Sequence, residues 1–124
     1  MVDPDYLTAP HIRFLVARWK SEAMGRGKAV GCGALVLGND ATAELKRVVV
    51  DGETRGKGVG RALMQALESL AVAEGVRLIQ LETGPASEPA VRLYRSCGYR
   101  ERGPFGAYRD SPYSLFMERA LAPA

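Results

Sequence analysis

Three glycines lie within five residues of Arg55-Gly56-Lys57-Gly58-Val59-Gly60-Arg61, between a β-branched run, Val48-Val49-Val50, and an apolar series. That series, Val59, Leu63, Ala66, Leu67 and Leu70, recurs at helical spacing. A strand therefore passes directly into an amphipathic helix through a turn stripped of side chains. Glycines let a ligand approach the backbone, and the first amides of a helix lack internal acceptors and carry partial positive charge. Such an end suits a phosphate, and a pyrophosphate, with several acceptors, suits it better than a carboxylate. Arg55, Lys57 and Arg61 add positive charge around it. The other reading of the same glycines is a tight turn and nothing more.

The flanking pattern extends this unit in both directions. Ile12, Phe14 and Val16 alternate with Arg13, Leu15 and Ala17, and a polar break at Lys20 to Lys28 separates them from an apolar stretch, Ala29 to Leu37. Gly38-Asn39-Asp40 is a turn, and Ala43 to Val50 is a third strand whose β-branched end suits a sheet interior. After the long helix, Gly75 stands where a left-handed cap belongs, and Leu78 to Glu82 is a compact strand beyond it. A strand-helix-strand crossover pairs its strands in parallel. Ser87-Glu88-Pro89 opens a second helix that runs to Ser96 and ends at Gly98. Tyr99 to Arg102 and Tyr113 to Ala120 close the sheet, with turn residues from Gly103 to Pro112 between them. The expected fold class is α/β (α+β), an antiparallel meander passing into a parallel crossover, and residues 1–124 form one domain.

Composition narrows the chemistry. A net charge of +3 tolerates an anionic ligand, but no zinc-finger spacing and no aromatic consensus of an RNA-recognition strand is present, so no nucleic-acid partner is expected. Cys32 and Cys97 stand far apart with no C-x-x-C, and His11 is the only histidine. These counts argue against a disulfide scaffold, His-pair metal sites and Ser-His-Asp hydrolysis, and no metal is expected. No apolar run spans a membrane, and the N-terminus opens with Asp3 and Asp5 rather than a basic then apolar leader, so the expected compartment is the cytoplasm. The loop also fails the spacing of a Walker-type P-loop and of a Rossmann fingerprint.

The pattern R-x-x-G-x-G after a strand and opening a helix resembles the pyrophosphate loop of the GNAT superfamily of acetyl-CoA-dependent N-acetyltransferases. The resemblance runs from about Phe14 to Leu121, through A-E-L-K-R-V-V-V, L-E-T-G, A-x-x-L-Y-x-x-x-G-Y and S-L-F-M-E in order. It implies acetyl-CoA as co-substrate, with pantetheine in a wedge where the strand Ala43 to Val50 splays from Leu78 to Glu82. Val48 and Val50 then offer the strand backbone to it, an amide near Val48 or Val49 serves as oxyanion donor, and residues 55–60 (Arg55, Gly56, Lys57, Gly58, Val59, Gly60) hold the pyrophosphate with Arg61 at the helix entrance. Tyr94 matches the tyrosine that commonly protonates the leaving sulfur, and a phenol is protonated at neutral pH. Glu44 matches a general base of some relatives, and Glu82 is a second carboxylate, assigned to substrate binding with Tyr108 and Arg109 in the loop before the last strand.

The implied reaction is direct acetyl transfer from acetyl-CoA to a primary amine of a small molecule or amino acid. The alternative is a non-catalytic acyl-CoA-binding or regulatory module. In one respect the chain departs from the family pattern: about eleven residues precede its first strand, where family members carry a further strand and one or two helices that wall the acceptor site. A truncated start, a minimal enzyme with an open pocket, or a homodimer whose partner completes the wall would each account for this.

Overall fold

The computed structural model describes residues 9–19, 27–54 and 56–122. Six strands form one sheet: β1 (Ile12–Arg18), β2 (Ala29–Leu37), β3 (Thr42–Val50), β4 (Leu78–Thr83), β5 (Arg100–Arg102) and β6 (Leu115–Ala120). Their order across the sheet is β1-β2-β3-β4-β6-β5. The first three strands make the expected antiparallel meander, β3 and β4 pair in parallel, and β6 pairs antiparallel with both β4 and β5. Helix α1 (Val59–Ala73) supplies the crossover, and α2 (Glu88–Ser96) leads from β4 towards β5. Among the described residues no helix is long and apolar enough to cross a membrane.

The core occupies one face of the sheet. Helix α1 buries Val59, Leu63, Met64, Leu67 and Ala71 on one stripe, against Leu35, Ala43, Leu45, Ile79, Leu81 and Met117 from the strands. Complete burial of each large apolar side chain stabilises the fold by roughly 1.5–3 kcal/mol, so this stripe anchors the helix whose first turn faces the glycine loop. Gly75 follows the helix in the left-handed region, with φ 81°, and Gly98 does the same after α2, with φ 93°.

One feature of β3 departs from the plain strand expected. Ala34 faces Lys46 and Cys32 faces Val49, so Arg47 and Val48 together stand opposite Gly33. This is a β-bulge, and Arg47 takes it up with φ 60°, which is uncommon for a residue other than glycine. The bulge shifts the phase of the strand: Ala43 and Leu45 face the core before it, and Val48 packs on the core after it. Val49 is thereby turned outward at 59% exposure, so the β-branched run is not sheet interior as its composition suggests. Pairing between β3 and β4 covers only Thr42–Leu45 with Leu78–Leu81, and both strands run on without a shared rung beyond that point. A wedge opens there.

Candidate active site

The first four amides of α1, from Gly58 to Arg61, have no acceptor within the helix, and no side chain caps them. Gly56 and Gly58 hold the turn with φ 79° and 82°, and a Cβ at either would meet nothing within 4 Å. These two glycines therefore answer to backbone conformation and to open space above the loop. Gly60 has a different cause: its Cβ would lie 3.0 Å from Leu93 Cδ2, so its absence lets α1 approach α2.

Above the loop is a groove of about 650 Å³, a size usual for small-molecule sites. Its walls come from three elements. The free end of β3 gives Val48, Val49 and Val50; the loop and first turn of α1 give Gly56, Gly58, Val59, Gly60 and Arg61; α2 gives Tyr94. These nine are all sequence-derived candidates. The structure adds Thr54 and, from α2, Pro89, Ala90, Arg92 and Leu93. Their signal in the sequence is helical spacing around Tyr94, since Ala90 lies four residues before it and Pro89 four before Leu93. Arg55 lies outside the described residues. Lys57 is absent from the groove walls, and its ammonium stands 5.8 Å from the centre of the Trp19 ring.

Tyr94 is 6% exposed and makes no protein hydrogen bond through its hydroxyl among the described residues. Burial, with a smaller contribution from Cys97, pushes its pKa up to about 12. The phenol is thus held as a proton donor at the wall of the groove at any physiological pH.

The carboxylates stand on the other face of the sheet. Glu44 pairs across to Gln80 and Glu82 to Phe116, two rungs along the same side of β4. Tyr108 donates its hydroxyl to Glu44 Oε2 at 2.5 Å, and Lys46 Nζ lies 3.9 Å from the same oxygen. Glu44 Oε1 has no partner among the described residues. Ser114 donates to Glu82 Oε2 at 2.8 Å. Tyr108 is fixed by edge contacts with Phe105 and the buried Phe116, while Arg109 beside it is exposed. The structure therefore brings Glu44 and Tyr108 into direct contact, places Glu82 on the same face, and leaves Arg109 outside this group. Cys97 is buried, and Cys32 sits in β2 with Sγ 3.6 Å from the Arg47 carbonyl.

The site is two-sided. A diphosphate-bearing ligand fits the helix face, where donors and guanidinium groups without an ion pair among the described residues meet an open groove, and the carboxylates lie across the sheet beside the rungs where β3 and β4 part. A group threaded through the wedge would have Tyr94 on one side and Glu44 on the other.

Residues 2–99 match the Acetyltransferase (GNAT) family. The chain is 41% identical over 122 residues to an IAA acetyltransferase of Azospirillum brasilense, covering 98% of this chain and 76% of that one. A crystal structure from Klebsiella pneumoniae, of a protein assigned to the acyl-CoA N-acyltransferases, superposes with a TM-score of 0.84 at 36% identity, covering 96% of this chain and 80% of the other. The PaiA N-acetyltransferase of Thermoplasma acidophilum, solved with coenzyme A, has the same fold at a TM-score of 0.72 and 20% identity, covering 90% of this chain and 62% of its own.

Proposed function

This chain belongs to the GNAT acetyltransferase family, and from that premise we propose that it carries acetyl from acetyl-CoA directly to a primary amine of a small molecule or amino acid. The observation that carries the reading is the conjunction, in one groove, of a loop with uncapped amides, a strand end that β4 leaves unpaired on one edge and a buried phenol.

Acetyl-CoA supplies an acetyl group activated as a thioester. The amides of Gly58 to Arg61, with Gly56, hold the diphosphate, joined by the side chains of Arg61 and Arg55, while Lys57, drawn towards Trp19, adds positive charge nearby. The backbone of Val48 to Val50, which β4 does not use, receives the amide-rich arm, and an amide near Val48 or Val49 stabilises negative charge on the carbonyl oxygen. Tyr94 gives a proton to the departing sulfur. On the opposite face Glu44, with Oε1 open, takes a proton from the incoming ammonium, directly or through water; Tyr108 holds its other oxygen. Glu82 and Arg109 contact the acceptor, and the compartment is the cytoplasm.

The test is thiol release from acetyl-CoA in the presence of amino acids, polyamines, aminoglycosides and peptides. Release that depends on a small amine supports the reading. Release only with peptide substrates moves the acceptor to protein amines, and tight binding of acetyl-CoA without any amine-dependent release leaves a binding module.

A further inference from the structure

Coenzyme A carries two separate anions, a diphosphate and a phosphomonoester on the ribose, and the loop amides account for one of them. The groove contains a cation that the pyrophosphate loop does not supply. Arg92 stands on α2, on the stripe with Pro89 and Leu93 that faces the groove, across from the first turn of α1. It is exposed and forms no ion pair among the described residues, although Glu88 precedes it by the four residues at which helical salt bridges form. Five other arginines among the described residues do hold carboxylates, Arg13 with Glu74 and Arg119 with Glu68 among them, while Arg18, Arg47, Arg77 and Arg109 are likewise without an ion pair; what sets Arg92 apart from those four is its place in the groove wall. Among the described residues Arg61 is the other guanidinium at the groove without an ion pair, but its own amide belongs to the α1 cradle, so its side chain starts beside the diphosphate cradle.

We infer that Arg92 recognises the 3′-phosphate of coenzyme A, as the second anion subsite of the groove, while Arg61 serves the diphosphate. The inference rests on the acetyl-CoA reading above. A phosphomonoester dianion offers paired oxygens to a planar guanidinium, which no amide of the loop on the opposite helix duplicates. Arg92 thereby makes the groove selective for coenzyme A over carriers that lack this phosphate.

Calorimetric titration with coenzyme A and with 3′-dephospho-coenzyme A separates the possibilities. The wild-type protein should bind coenzyme A roughly tenfold or more tightly than the dephospho form, the range expected for a charge-assisted contact. Arg92→Gln should lose that preference by weakening coenzyme A alone, Arg92→Lys should restore part of it, and Arg61→Gln should weaken both ligands equally. Equal weakening of both by Arg92→Gln would put Arg92 on the diphosphate and overturn the inference, as would no weakening of either. If the wild-type protein binds neither ligand, the acetyl-CoA reading falls first and the subsite with it; if it binds both equally, only the subsite falls.

Discussion

At the scale of single residues, Tyr94 carries the sharpest consequences. It lines the groove and its pKa is raised to about 12, so it remains a donor over the whole working range. Tyr94→Phe keeps the ring that packs against Tyr99 and removes only the proton. Turnover should fall by roughly 10²-fold with little change in acetyl-CoA affinity, since a positioned general acid contributes at least that much. Steady-state rates with a titration of the same variant decide it, and an unchanged kcat would remove Tyr94 from the role. The same burial has a stability signature. A folded-state pKa above the unfolded value near 10 leaves stability intact below pH 10 and erodes it as pH rises towards 12, where the unfolded chain ionises first. For Tyr94 the loss is about 2 kcal/mol by pH 12. Tyr99, raised in the same direction by burial and by the neighbouring Glu68 carboxylate, adds to it. Denaturant melts at pH 8 and pH 11 should show a shallower alkaline decline in Tyr94→Phe than in the parent.

At the scale of elements, the bulge in β3 is what turns a sheet into a site. Without it, pairing with β4 could continue past Leu45 as far as Thr83, and the backbone edge at Val48 would be consumed by the ladder. Deleting Arg47 restores one residue opposite Gly33 and removes a left-handed residue that costs on the order of 1 kcal/mol. The variant should remain folded by far-UV circular dichroism and by cooperative melting yet lose measurable coenzyme A binding; binding at parental affinity would show that the wedge does not depend on the bulge. The elements themselves could be read from the chain because their signals are local: period-two runs, a helical stripe beginning at Val59, and glycines at 75 and 98 where each helix ends. The bulge left a trace too, since the apolar phase passes from Ala43 and Leu45 to Val48 and Val50, one step out of alternation. What no local pattern carries is contact between distant segments. The Tyr108 to Glu44 bond joins residues 64 positions apart, and Arg92 reaches the groove on a helix that packs closely on α1 where Leu93 meets Gly60.

Across the whole molecule, the groove is assembled from three separate pieces, β3, the start of α1 and α2, and Leu93 approaches Gly60 where the two helices meet. A ligand seated there touches all three at once and has no comparable site on the unfolded chain. Binding is therefore linked to global stability. At a coenzyme A concentration 100 times its dissociation constant the native state should gain about 2.7 kcal/mol, which for a domain of this size raises the melting temperature by on the order of 10 °C. Differential scanning fluorimetry over a concentration series should follow that logarithmic dependence. The Arg47 deletion, whose strand end is expected to close, should show no shift at any concentration, and Tyr94→Phe, altered in proton delivery and not in the phosphate cradle, should shift as the parent does. A stabilisation that persisted undiminished in the deletion variant would mean that coenzyme A binds somewhere other than the wedge, and the division of labour between the two faces of the sheet would have to be abandoned.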